Sequence, residues 1–89
     1  MKLQELLDKY IENTEAVLAE IKIAQSMQVD NKKVNSVVET VKRYLEDAKY
    51  YRDRKRFETG LASVAYSEGL LDALKLLEVA KFSWPKRKR

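Results

Sequence analysis

The fold is decided by residues 57–82, which read FETGLASVAYSEGLLDALKLLEVAKF. Steps of four and three residues mark one face of a helix. A first row with these steps consists of Ala62, Tyr66, Gly69, Ala73, Leu76 and Ala80, widened by Leu70 and Leu77. A second row, on another side, consists of Phe57, Leu61, Val64 and Leu71. Because a helix with apolar rows on two sides usually packs against more than one neighbour, we expect this helix to be central.

Composition favours a few long helices. The chain has 89 residues, which is one domain near the lower limit for a self-sufficient core, and only 2 Gly and 1 Pro to make turns. Its 45% apolar and 36% charged residues are typical of a soluble helical protein. No apolar run approaches the ~20 residues that span a bilayer, and the first residues lack a signal-peptide core. We therefore expect a cytoplasmic protein without membrane insertion.

The absence of two residue types narrows the possible chemistry. The chain contains no Cys and no His, which excludes disulfides, thiolate or imidazole metal sites, and every nucleophile–imidazole triad. Carboxylate chemistry remains as an alternative. We expect a non-enzymatic protein with no catalytic residue, no metal and no cofactor.

Two further helices precede the central one. The first is predicted from about Leu3 to about Gln25, and the second from about residue 31 to 54, with Asp30 as its N-cap. The second contains four valines whose strand propensity is strong: Val34, Val37, Val38 and Val41. Their spacing of three, one and three is helical, and we expect this periodicity to override the propensity. Ile23 and Met27 fall off the apolar stripe of the first helix.

The polarity of residues 52–56 and a shift in phase of the apolar stripe favour a break between the second helix and the third, and the alternative is a continuous helix through residues 52–58. We expect the third helix to continue to residue 81 or 82, before Pro85. The prediction is an all-α, up-and-down three-helix bundle over residues 1–82, followed by a basic C-terminal tail over residues 83–89. The residues expected to be most buried are Leu7, Ile11, Leu18, Val41, Leu45, Ala48, Tyr66, Gly69, Ala73 and Leu77.

Two segments carry a family resemblance. Residues 44–51, YLEDAKYY, and residues 62–73, ASVAYSEGLLDA, resemble an archaeal family of uncharacterised proteins, the domain of unknown function 357. Most of the resemblance lies in Tyr66, Glu68, Gly69, Leu71, Asp72 and Ala73. It implies a small up-and-down three-helix bundle, sometimes found beside nucleotidyltransferase-like domains, with no established activity or site. The chain departs from the family at the second turn, where the family tends to have Gly and Asp and this sequence has Lys55 and Arg56.

Glu68 and Asp72 are one helical turn apart and can face the same way. Two such carboxylates can share a divalent cation or act as acid and base. The alternative, which we favour, is structural: Glu68 pairs with a cation or a tyrosine hydroxyl of a neighbouring helix.

Basic residues form two groups that can contact an anion or nucleic acid: Arg52, Arg54, Lys55 and Arg56 in the turn, and Lys86, Arg87, Lys88 and Arg89 in the tail. Tyr44, Tyr50 and Tyr51 lie beside the turn and can stack on bases, unless Tyr44 and Tyr51 belong to the core. The tail holds the whole net charge of +4, since 14 basic residues face 14 acidic ones before it. It can meet phosphates, an anionic membrane surface or an acidic partner. The alternative is a solubilising end, with Trp84 packed against the bundle.

The apolar excess of the third helix predicts a homodimer through its outer side. The predicted interface residues are Phe57, Val64, Glu68, Leu71 and Leu74. The predicted function is a non-enzymatic protein-interaction or structural module that binds itself or a protein partner. The alternatives are weak nucleic-acid binding through the basic turn and tail, and a carboxylate-dependent enzyme or accessory domain.

Overall fold

The computed structural model describes residues 2–23 and 30–85. Its elements are the helices α1 (Leu3–Glu20), α2 (Asn31–Asp53) and α3 (Phe57–Leu76) and two short strands, β1 (Lys22–Ile23) and β2 (Ala80–Lys81). The predicted all-α, up-and-down three-helix bundle is confirmed. The helix α3 packs against both of the others, more extensively against α2 than against α1, so its central position is confirmed as well.

The start of α2 follows its sequence signals. Asp30 has an extended backbone, and its Oδ1 accepts the backbone N–H of Lys32 at 2.8 Å, which is the predicted N-cap. Val34 and Val41 are buried on the resulting helix, so the helical spacing of the valines overrides their strand propensity.

The predicted break between α2 and α3 is a Schellman motif. Arg56 N–H bonds to Tyr51 C=O at 2.8 Å and Lys55 N–H to Arg52 C=O at 3.0 Å, which satisfies carbonyls that the helix end leaves unpaired. Lys55 has a φ of 62°, the left-handed conformation that usually selects Gly. The motif therefore forms here without the glycine that suits it.

The helix α3 ends in the same way. Val79 N–H bonds to Leu74 C=O at 3.1 Å and Glu78 N–H to Lys75 C=O at 2.9 Å, with Glu78 at a φ of 61°. The prediction that this helix runs to residue 81 or 82 is wrong, because it closes at Leu76 and the chain turns back before Pro85 is reached.

The predicted end of α1 is also wrong, since the helix stops at Glu20 rather than near Gln25. Ile21 is extended, with φ −60° and ψ 135°, and leads into β1. There Lys22 pairs with residue 81 and Ile23 with residue 80 of the antiparallel strand β2. Pairing with a segment distant in sequence replaces the last helical turn. Ile23 thus has a neighbour within the chain, whereas Met27 lies outside the described residues.

The core consists of two clusters along the bundle. One contains Leu7, Ile11, Leu45, Ala48 and Val64. The other contains Val17, Val34, Val41, Leu71, Leu74, Val79, Ala80 and Phe82. Leu18 is half-buried and packs against both. On α1 and α2 the predicted core positions Leu7, Ile11, Val41, Leu45 and Ala48 are confirmed.

An ion pair supports the contact between α1 and α2, which is the least extensive of the three. Lys49 Nζ lies 2.7 Å from Glu15 Oε2, and this hydrogen bond raises the pKa of Lys49 above its ordinary value. Lys49 also lies 3.4 Å from Glu46 Oε1, so one cation bridges two carboxylates at the surface.

The predicted core face of α3 is wrong. Tyr66 is 51% exposed and Leu77 62% exposed, and Gly69 and Ala73 are exposed as well. The buried residues of this helix are instead Gly60, Val64, Ser67, Leu71 and Leu74. Both rows have the same helical spacing, so periodicity could not choose between them.

Gly60 lies on the buried side of α3, at a close contact with the other two helices. A Cβ atom at Gly60 would lie 2.7 Å from Leu7 Cδ2 and 3.3 Å from the Ala48 carbonyl oxygen, so a side chain there would displace Leu7 and crowd the α2 backbone. A Cβ at Gly69 would meet no atom of the described residues within 4 Å. The close helix contact that the sequence placed at Gly69 is at Gly60.

Replacing Lys55 by Gly should raise the free energy of unfolding by about 0.5–1 kcal/mol. The left-handed conformation costs an L-residue about 1–2 kcal/mol, and the greater freedom of Gly in the unfolded chain offsets part of the gain. Urea unfolding measures the change. Lys55→Ala is the control, because it removes the same charge and keeps Cβ. Equal stability of the two variants would contradict this account of the turn.

Replacing Gly60 by Leu should lower the free energy of unfolding by about 1–3 kcal/mol or prevent folding, because the added atoms overlap Leu7 and the α2 backbone. Gly69→Leu is the matched control and should unfold no more easily than the natural chain. Both are compared by thermal unfolding at a concentration at which the chain sediments as a monomer. Equal losses at the two glycines would contradict the packing described.

Candidate interaction surface

The predicted dimer interface does not lie on an outer surface. Val64 and Leu71 are fully buried within the bundle and Leu74 is 3% exposed, because this row packs against α1 and α2. Phe57 and Glu68 are half-buried. The predicted surface for a second subunit is therefore wrong for Val64, Leu71 and Leu74, and it stays a prediction for Phe57 and Glu68. The sequence analysis had placed the row of Val64 outside and the row of Tyr66 inside, and the structure has them the other way round.

The exposed row of α3 forms what we call the outer face: Ala62, Tyr66, Gly69, Ala73, Leu76 and Leu77. Leu76 is 83% exposed, and together with its neighbours it belongs to an exposed apolar patch, which is more informative than a single exposed leucine. None of the six side chains is charged. At 1.5 Å per residue the face is about 22 Å long. It is an uncharged strip on the central helix of the bundle.

The helix α2 widens the outer face on one side. The ring centroids of Tyr44 and Tyr66 are 4.6 Å apart, and Tyr44 is itself 36% exposed. A shallow groove of about 230 Å³ lies between the two helices, lined by Ser36, Val37 and Thr40 of α2 and by Tyr66 and Leu70 of α3. The outer face is thus continuous with an apolar groove and a second aromatic ring.

Asp72, one member of the carboxylate pair formed with Glu68, has a structural role. Asp72 Oδ1 accepts the indole N–H of Trp84 at 2.6 Å, which ties the C-terminal segment to α3. Glu68 is half-buried. Within residues 2–23 and 30–85, no group of three or more acidic side chains is placed to hold a metal ion.

The cations of the basic turn contact the chain's own side chains. Arg52 lies 3.6 Å from Asp8 Oδ1 and 3.3 Å from Asp53 Oδ1. The guanidinium of Arg54 lies 3.6 Å above the Tyr50 ring.

Arg56 lies 5.3 Å from the centroid of the Tyr51 ring. Of the two tyrosines weighed as core residues, Tyr51 is half-buried and Tyr44 lies at the surface, and Tyr50 is exposed. The tail cations Lys86, Arg87, Lys88 and Arg89 lie outside the described residues.

The segment after α3 closes the end of the bundle. Phe82 is buried, and its ring meets the Trp84 ring edge-on at 5.3 Å. Ser83 N–H donates to Glu20 Oε1 at 2.9 Å. The alternative in which Trp84 packs against the bundle end is therefore confirmed, and contacts with the bundle continue past residue 82.

Comparison with known protein families identifies the family of the chain. The model of a family described as a protein of unknown function, DUF357, matches residues 9–80. The chain belongs to the DUF357 family. The match covers nearly all of the three helices and the whole outer face, and the family description names no activity. No curated protein and no solved structure matches the chain significantly. Among the described parts of this DUF357 chain, no helix has the length and apolar composition needed to cross a membrane.

Sequence reasoning missed the polar member of the buried row of α3. Ser67 is fully buried, and its hydroxyl lies 3.2 Å from the Val41 carbonyl oxygen of α2 and 3.3 Å from the Ser63 carbonyl oxygen. The sequence did contain a signal for it. Gly60, Val64, Ser67, Leu71 and Leu74 follow steps of four and three without interruption.

The bond between Asp72 and Trp84 should contribute about 1 kcal/mol of coupling to stability. A double-mutant cycle of Trp84→Phe and Asp72→Ala, read by urea unfolding, measures it, since Phe keeps an aromatic ring and removes only the donor. Combining Trp84→Phe with the distant Ala16→Ser is the control and should be additive. If the Asp72 cycle were additive too, this bond would not hold the segment in place.

Proposed function

We propose that this DUF357 chain is a non-enzymatic protein-interaction module that docks a helix of another polypeptide on its outer face. One observation carries the proposal: the uncharged strip of α3 that the chain's own bundle leaves exposed. A helix with apolar rows on two sides usually packs against neighbours on both sides. Contiguous exposed apolar patches on soluble domains usually mark contact sites.

The spacing of the outer face suits a helical partner. Ala62, Gly69 and Leu76 lie seven residues apart, and Tyr66 and Ala73 lie between them at the other heptad core position. Small side chains at three of these positions allow a second helix backbone to approach closely. The groove beside Tyr66 offers room for a side chain at the edge of such a contact.

The competing functions have less support. A chain without His or Cys has few nucleophiles and bases, and Asp72 is hydrogen-bonded to Trp84. Nucleic-acid binding through Arg52, Arg54 and Arg56 stays a prediction, with these cations already in contact with Asp8, Tyr50 and Tyr51. A cytoplasmic location is part of the proposal and rests on the sequence.

The proposal is tested by the accessibility of a single thiol. The natural chain has no Cys, so Ala73→Cys places one reactive group on the outer face, and Ala16→Cys places one at an exposed alanine of α1. In cells of the source organism that produce each variant at its natural level, maleimide should label residue 73 several-fold more slowly than residue 16. In denatured protein the two rates should be equal. Equal rates in the cell would overturn the proposal.

A further inference from the structure

Gly69 makes no close helix contact with the described residues of its own chain. Gly in a helix interior costs about 0.5–1 kcal/mol relative to Ala, so a helical Gly usually serves a close contact or an unusual backbone angle. Gly60 serves such a contact, with Leu7 and the Ala48 carbonyl. Gly69 has no positive φ, and a Cβ there would meet no atom of the described residues within 4 Å. The missing side chain lies at the centre of the outer face, where it leaves room for the close approach of an external backbone.

Side-chain size is distributed unevenly on the two sides of Gly69. Ala62 lies seven residues before it and Leu76 seven residues after it, while Tyr66 lies three before and Ala73 four after. Each large residue therefore has a small counterpart at a similar distance on the other side of the glycine. A surface with this pattern is complementary to a copy of itself that is rotated by 180° about an axis through Gly69.

We infer that the partner on the outer face is a second copy of this chain, related by a two-fold axis that brings the two α3 helices together, antiparallel, at Gly69. The inference rests on the proposed function. In this arrangement Tyr66 of each copy lies opposite Ala73 of the other, and Ala62 lies opposite Leu76. A parallel pair would put Tyr66 against Tyr66 and leave Ala62 facing Ala62, which overcrowds one level and leaves space at another. The large and small side chains thus select the antiparallel pair.

Charge favours the same partner. The outer face is uncharged, and of the nearest carboxylates Asp72 is bonded to Trp84. A charged surface placed on it would lose water without gaining an opposite charge. A second outer face is uncharged over the same length, so neither copy places a charged side chain of this face against the other.

A stable pair requires surface from α2 as well as from α3. A standard interface buries about 800 Å² on each partner, more than a single helix face of this length can supply. Tyr44 and the groove of α2 lie beside Tyr66 and extend the surface across a second helix. The two copies would then contact each other through α2 and α3 of each copy, so that four helices pack together as in a four-helix bundle.

Sedimentation equilibrium of the purified full-length chain tests the inference. The natural chain should be a dimer at micromolar concentrations, and Ala73→Glu and Gly69→Leu should each be folded monomers by circular dichroism. Ala16→Glu is the matched control, since it adds the same charge to an exposed alanine of α1, and it should remain dimeric. A monomeric natural chain, or a dimer that survives both outer-face substitutions, would overturn the inference.

Cross-linking tests the orientation separately. Disulfides need Cα atoms about 4.4–6.8 Å apart. Oxidation should join copies of Gly69→Cys to one another, and should join Ala62→Cys to Leu76→Cys when the two variants are mixed. Neither of these last two should cross-link with itself. Ala62→Cys chains that join one another would overturn the antiparallel arrangement.

Thiol labelling separates failure of this inference from failure of the proposed function. If the purified chain is monomeric but Ala73→Cys is shielded in the cell, another protein covers the outer face, and only the second copy is excluded. If residue 73 reacts freely both in the cell and in purified protein, both proposals fail. If phospholipid vesicles alone shield residue 73 of a monomeric chain, the face binds a membrane surface and the inference fails.

Discussion

The close contact at Gly60 is the constraint on which the rest of the structure depends. Leu7 of α1, the Ala48 carbonyl of α2 and Gly60 of α3 meet at one level of the bundle, where a Cβ would lie 2.7 Å from a Leu7 methyl group. This contact places Gly60 on the inner side of α3. Val64, Ser67 and the residues that follow them at helical spacing are turned inward as a result. The other apolar row is then left on the outside.

The far end of the bundle is closed by contacts between distant parts of the chain. The strands β1 and β2 pair residues 22–23 with residues 80–81, and Ser83 N–H bonds to Glu20. Phe82 fills the end of the core, and Trp84 is held by Asp72. Both α1 and α3 end earlier than their apolar patterns predict, because the chain becomes extended after α1 and turns after α3. A small core thereby gains buried residues from a segment that is not helical.

The rotation of α3 also decides where a partner can bind. Had the alanine and glycine row faced inward, Val64, Leu71 and Leu74 would have formed the surface. The bundle buries that row, and what remains outside is a strip with Ala62 at one end, leucines at the other and Gly69 near its middle. The same rotation leaves Asp72 where the indole of Trp84 can reach it. The functional surface of this DUF357 member is therefore a consequence of how its core is packed.

Local patterns were enough to predict the number of helices, the N-cap at Asp30, the helical state of the valines and most core positions of α1 and α2, and they favoured the break after α2. Each depends on local periodicity or capping, or on a single apolar stripe with one possible inward side. The tertiary packing selected which row of α3 is buried, because the two rows have the same spacing and no local pattern shows which of them fits against Leu7 and the α2 backbone. It also decided where α1 and α3 end, since the pairing of Ile23 with Ala80 joins residues that no local pattern connects.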